Sequence, residues 1–206
     1  MHRSPSKLFG PLPGTTPRPR GLFIDRWGTL LRLPEDGYGK NTSDVVFVEG
    51  VLDALFRASR AGWKIYLLGN EEAVAKGVVP AEQWEAIQEA TAEGLAEAGV
   101  PLTRDYSCAL HPEGQGKFCG DSVYQLPNTG AFYHAAHADG IQLERSWVIG
   151  DSTLELAAGW RAGVRLAAVR SGLGLVDGTL HVEPEFWEDD LCAVLSMLLG
   201  LETARH

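Results

Sequence analysis

Asp25 and Asp151 each follow a short apolar run directly, Leu22-Phe23-Ile24 in one case and Trp147-Val148-Ile149-Gly150 in the other. Two strands that each end in an aspartate bring two carboxylates within a few ångströms, where their repulsion is tolerable only with a divalent cation between them. A helix opening near Ser152 adds backbone amides and a positive dipole end beside the same point, so a phosphate-like anion has donors as well as a counter-charge. Two other strand-end or loop positions fall where an α/β sheet places its ligand: Gly69-Asn70 and Gln125-Leu126-Pro127. The chemistry implied is that of magnesium and phosphate.

The elements that must position these residues follow from the apolar pattern. Short apolar runs alternate with helical periodicity from Gly21 onward, which predicts an α/β protein with a doubly wound, Rossmann-like parallel sheet covered by helices on both faces. Strands are expected at 22–24, 64–68, 106–110, 147–149 and 164–169, and helices at 49–61, from Pro80 to about Gly99, from Asn128 through Ala136, at 152–162 and at 184–199. Within the second helix, Trp84, Ile87, Thr91 and Leu95 share one face. Residues 1–20 mix five prolines with basic residues and offer no apolar face, so they are read as a flexible extension preceding one domain over 21–206.

With 206 residues and 45% hydrophobic content, the chain is long enough for one substantial core. A formal net charge of −9 speaks against nucleic acid or an anionic membrane as partner. Neither a membrane span nor a secretory signal is read from the sequence, and three cysteines suit a reducing compartment, so the expected location is the cytoplasm.

The order of these motifs resembles the haloacid dehalogenase (HAD) superfamily, in particular its branch of heptose bisphosphate and histidinol phosphatases. Asp25-Arg26-Trp27-Gly28-Thr29-Leu30 is similar to that branch's first motif, Asp-Arg-Asp-Gly-Thr. Val148-Ile149-Gly150-Asp151-Ser152-Thr153-Leu154-Glu155 is similar to its last, and the resemblance runs over roughly residues 21–172. It implies a phosphatase of a small phosphorylated metabolite, with Asp25 as the nucleophile that becomes an aspartyl-phosphate. It further implies that Asp25, the backbone carbonyl of Trp27, Asp151 and Glu155 hold Mg2+, and that Gly69 and Asn70 face the phosphate.

Three positions depart from the family pattern. Trp27 stands where the branch has its general acid, Gly69 where it has a hydroxyl, and Leu126 where it has a lysine. An indole donates a hydrogen bond but cannot cycle a proton, and loss of such an acid removes a contribution of about 10²–10⁴ in rate. The branch also carries a zinc loop, to which Cys108, His111, Cys119 and Asp121 correspond as a mixed, irregularly spaced ligand set. The alternatives to a working phosphatase are a pseudoenzyme that binds a ligand or a partner protein, and a dehalogenase-type hydrolase, for which an aromatic at position 27 speaks and Leu126 does not.

Overall fold

The computed structural model describes residues 18–203. The extension expected over 1–20 lies outside the described residues through residue 17, and Arg20 already belongs to the first strand.

Among the described residues six strands form one sheet. They are β1 (Arg20–Asp25), β2 (Trp63–Leu68), β3 (Leu102–Asp105), β4 (Trp147–Gly150), β5 (Arg165–Val169) and β6 (Phe186–Glu188), in the spatial order β3-β2-β1-β4-β5-β6 with every pairing parallel. The helices are α1 (Val51–Arg60), α2 (Glu72–Ala75), α3 (Ala81–Glu97), α4 (Gly130–Asp139), α5 (Thr153–Ala162) and α6 (Leu191–Thr203). The doubly wound expectation is met, because parallel strands need crossovers and every crossover here except that from β5 to β6 contains a helix.

Alternation along the central strands divides the core. Leu22, Ile24, Ile65 and Leu67 join α1 and α6 on one face, whereas Phe23, Tyr66, Leu68 and Val148 join α4 and α5 on the other. Phe23 stacks on Tyr66 at 4.7 Å and meets Phe132 of α4 at 4.5 Å. Burying both faces of β1 leaves Leu22, Phe23 and Ile24 with no exposure, worth about 1.5–3 kcal/mol for each side chain. Chain direction then fixes the site: Asp25 and Asp151 both emerge at the carboxyl edge of neighbouring strands β1 and β4.

Three expectations are corrected. The third strand covers Leu102–Asp105 rather than 106–110, and Tyr106 turns inward to stack with Tyr66 and Tyr124. The closing helix begins at Leu191, since Phe186–Glu188 pairs with β5 as an edge strand and Phe186 packs on Trp147. The fourth helix starts at Gly130 with Thr129 as its cap, because Asn128 instead donates its side-chain amide to Ser122 O. The face of α3 is as expected, with Trp84, Ile87, Thr91 and Leu95 buried. Among the described residues no helix is long and apolar enough to cross a membrane.

Candidate active site

The turn after β1 is closed by backbone bonds from Leu30 N to Asp25 O (3.2 Å), Leu31 N to Arg26 O (2.8 Å) and Gly28 N to Leu31 O (2.8 Å). This hairpin-like closure presents Asp25 on the cleft and sends Arg26 the opposite way, into the interior. Gly28 has φ +85°, and a Cβ there would lie 2.2 Å from Asp151 Oδ2. Glycine is required twice over, by conformation and by space.

Asp151 is clasped by the segment after β5. Leu173 N donates to its Oδ2 at 2.6 Å, Leu175 N donates to its backbone carbonyl at 2.7 Å, and Gly172 brings its backbone so close that a Cβ would lie 2.0 Å from Oδ2. We expect Gly172→Ala to displace this carboxylate and to abolish the rise in melting temperature that magnesium is expected to give; a variant with an undiminished thermal shift would show that the clasp does not set the geometry.

Glu155 folds back over the start of α5. Its Oε1 accepts from Ser152 N at 2.5 Å, its other oxygen accepts from the Ser152 hydroxyl, and a Cβ at Gly150 would lie 2.3 Å from Oε1. Ser152 in turn accepts from Leu154 N, which completes a capping box. Thr153 N donates to Asp177 at 3.0 Å. The amides of Ser152, Thr153 and Leu154 at the start of α5 are therefore engaged within the protein, at the place where donors to a bound anion are expected.

These loops bring one ligand atom each from Asp25, Asp151 and Glu155 within 4.8 Å of one another, a group that fits a divalent cation. Asp151 and Glu155 are buried, and Asp25 is partly exposed to the cleft. Burial first, then the charges of Glu155, Asp151 and Glu71, push the Asp25 carboxyl well above the usual range. Burial raises Asp151 to about 6 against the pull of the Leu173 amide, and burial together with Asp151 raises Glu155 to about 8. Without a counter-ion the folded state holds protons here that the unfolded chain has released. The stabilisation is fully present below the unfolded carboxyl values and is lost as pH rises through the folded ones. In chelator the melting temperature is accordingly expected to fall between about pH 4.5 and pH 8, and magnesium to flatten that decline. A melting temperature in chelator that does not change across this window would contradict the cluster's electrostatics.

Around this group lies a cleft of about 150 Å³, lined by Asp25, Trp27, Leu33, Gly37, Gly69, Asn70, Leu126, Asp151, Ser152, Leu154, Glu155 and Leu173. Trp27 stands at its wall. The indole Nε1 donates to Glu71 Oε2 at 3.3 Å, and the ring is pressed so closely on Gly39 that a Cβ there would lie 2.3 Å from it. Gly69 and Asn70 both line the cleft, and the Asn70 side chain is engaged at both ends. Its Oδ1 accepts from Leu126 N at 2.8 Å and its Nδ2 donates to Leu126 O at 2.9 Å, which locks the loop that carries Leu126. The Asn70 side chain thus supports the Leu126 loop at the edge of the cleft.

The four residues expected to share a zinc ion are not gathered. Cys108 is buried with Sγ 3.7 Å from Leu110 O, Cys119 has Sγ 3.4 Å from Pro112 O, and His111 Nδ1 accepts from Glu113 N at 3.0 Å. A backbone bridge joins His111 to Cys119, yet among the described residues the carboxylate group above is what meets the geometry of a metal site. Asp121 takes no part in it. The irregular ligand spacing in the loop is the physical reason.

Two groups near the cleft escape the sequence reading. Arg26 has no exposed surface; its guanidinium reaches Thr91 Oγ1 at 3.0 Å, Asp105, and Ser107 Oγ at 3.3 Å, with Glu71 at 3.6 Å. Glu71 is raised to about 7, by burial first, against the opposing pull of Arg26 and the Trp27 indole. Sequence order carries no signal for Arg26 turning inward, though Glu71 follows the flagged Gly69-Asn70 directly.

This site can be set beside known proteins. The HAD-hydrolase-like family model matches residues 123–194. The D-glycero-beta-D-manno-heptose-1,7-bisphosphate 7-phosphatase of Haemophilus influenzae is 31% identical over 154 residues, which cover 74% of this chain and 83% of that protein. The chain belongs to the HAD superfamily, in its heptose bisphosphate phosphatase branch. A protein of this branch from Mesorhizobium japonicum is 30% identical over 80% of this chain and 73% of its own length. Among solved structures, D,D-heptose 1,7-bisphosphate phosphatase from B. bronchiseptica, complexed with magnesium and phosphate, superposes with a TM-score of 0.75. It is 24% identical and the match covers 88% of this chain and 99% of that one, a likeness of fold. A putative HAD-like phosphatase from Mesorhizobium loti gives a TM-score of 0.69 at 28% identity over 89% and 88% of the two chains.

Proposed function

We propose that this HAD-superfamily chain is a magnesium-dependent phosphohydrolase of a small phosphorylated metabolite, with Asp25 as its nucleophile. The observation that carries the reading is the convergence of Asp25, Asp151 and Glu155 on one point of a cleft at the carboxyl edge of a parallel sheet. The names of the relatives, phosphatases of a heptose bisphosphate, support phosphoryl chemistry there.

Asp25, Asp151 and Glu155, with the backbone carbonyl of Trp27, would hold the ion, which supplies the charge neutralisation that phosphoryl oxygens need during transfer. Asp25 opens onto the cleft and attacks phosphorus, giving an aspartyl-phosphate that water then cleaves. The Leu173 amide fixes one oxygen of Asp151, leaving the other for the ion. Ser152 orients Glu155 through both its amide and its hydroxyl. Trp27, Leu33, Leu126, Leu154 and Leu173 form apolar walls that limit water around the reacting groups.

The reading is tested by phosphate release from a panel of small phosphate esters. Release is expected with magnesium, should stop in chelator and should return on re-addition. Absence of release from every substrate, with a magnesium-induced thermal shift intact, would overturn it in favour of a binding pseudoenzyme. Halide release from haloacids, with no phosphate release, would overturn it in favour of the dehalogenase-type reading.

A further inference from the structure

The polar groups lining the cleft can be accounted for one by one. Asp25 is the attacking group, and Asp151 and Glu155 complete the carboxylate cluster with it. The Ser152 hydroxyl donates to Glu155, both polar ends of the Asn70 side chain are bound to the Leu126 backbone, and the Trp27 indole N–H donates to Glu71. The remaining lining residues are Leu33, Gly37, Gly69, Leu126, Leu154 and Leu173, whose side chains carry no proton donor. Glu71 does not line the cleft; it is 5% exposed, and it sits behind the indole with one oxygen engaged there. Among the described residues no lining side chain is left to protonate a departing oxygen, and none is cationic.

From this accounting we infer that the site is specific for phosphates whose leaving oxygen departs as a stable anion, acyl or aryl phosphates on a small apolar body, rather than for phosphates of alcohols. The inference rests on the phosphohydrolase reading of the same site. In the first step an Asp25 carboxylate oxygen bonds to phosphorus while the bond from phosphorus to the leaving oxygen breaks. The electron pair stays on that oxygen, which leaves as carboxylate or phenolate with no proton moved. In the second step a water oxygen bonds to phosphorus and the bond to Asp25 breaks, restoring its carboxylate. One water proton stays on the new P–OH and the other passes to a second phosphoryl oxygen, so that dihydrogen phosphate leaves.

Carboxylic acids and phenols ionise near pH 4 and about 10 respectively, far below any alcohol, and only for alcohols does a missing acid matter greatly. The five apolar side chains along the walls, Trp27, Leu33, Leu126, Leu154 and Leu173, suit a body without hydroxyls.

The test compares kcat/KM of the wild-type chain, with magnesium, for acetyl phosphate, p-nitrophenyl phosphate, phenyl phosphate, n-butyl phosphate and a hexose phosphate. The acyl and aryl compounds should exceed the alkyl and sugar phosphates by about 10²–10⁴-fold, the contribution of an acid. The aryl compounds should show an initial burst of about one phenol per enzyme, because aspartyl-phosphate cleavage is also unassisted. Faster turnover of acetyl phosphate or of the aryl compounds assigns the source within the class. Turnover of n-butyl or hexose phosphate within ten-fold of p-nitrophenyl phosphate would overturn the inference while leaving the phosphohydrolase reading standing. Failure of all five overturns both. A Trp27→Asp variant, which returns a carboxyl to the wall of the cleft, should narrow the gap by speeding the alkyl compounds alone; equal acceleration of every compound would count against the inference.

Discussion

Asp25→Asn is expected to lower magnesium-dependent phosphate release by about 10⁴-fold or more while raising the melting temperature in chelator. The first effect follows from chemistry, since an amide oxygen of the same shape cannot attack phosphorus and return as a leaving carboxylate. The second follows from electrostatics. Asp25 is pushed well above the usual carboxyl range by burial and by Glu155, Asp151 and Glu71, so neutralising it removes a repulsion that the folded chain otherwise carries. Phosphate release and a thermal melt on the same preparation check both. Activity within ten-fold of wild type would remove Asp25 from the role of nucleophile, and a lower melting temperature would show that the carboxyl supports the fold rather than strains it.

Arg26→Met is the substitution expected to cost most in stability. The guanidinium is fully buried, ion-paired to Asp105, bonded to Thr91 and Ser107, and lies 4.9 Å from the ring centre of Trp84. Burial alone would raise the Asp105 carboxyl, but the Arg26 charge and the Ser107 amide outweigh it and hold the group below its usual value. Methionine fills much of the volume and leaves Asp105 and Glu71 as uncompensated buried acids, a loss of about 3–5 kcal/mol. In a domain of this size that corresponds to a melting temperature lower by roughly 6–20 °C. The double variant Arg26→Met, Asp105→Asn should recover part of the loss, as coupled partners do. A drop of only a degree or two in the single variant would mean that water reaches the acids once the guanidinium is gone.

The same network acts on the cleft. Arg26 lies against Glu71, Glu71 accepts from the Trp27 indole, and that indole forms the cleft wall. Arg26, one position after Asp25, thus supports the wall from behind. This arrangement was not visible in the sequence, where Arg26 is simply the second residue of a motif and Glu71 one of a pair of acids at a helix start.

What the sequence determined by itself is considerable. Alternating apolar runs and helical periods dictate a parallel sheet, because strands buried on both faces read as continuous apolar stretches. An acid directly after two such runs dictates where carboxylates converge, and Gly28 and Gly150 beside them are consistent with close approach. Tertiary structure alone decided the rest. Whether a polar side chain is available to a ligand depends on what else bonds to it. That depends on loops meeting across the fold: Leu126 reaching Asn70, Leu173 reaching Asp151, and Asp177 reaching Thr153. The zinc spacing at Cys108, His111, Cys119 and Asp121 and the amides at the start of α5 both suggested ligand sites along the chain; in space the four zinc candidates do not converge, and local hydrogen bonds engage the amides of Ser152, Thr153 and Leu154. Desolvation sets the proton affinities in the same way, since burial of Glu155 or Glu71 is a property of the packed molecule and not of a position in the chain.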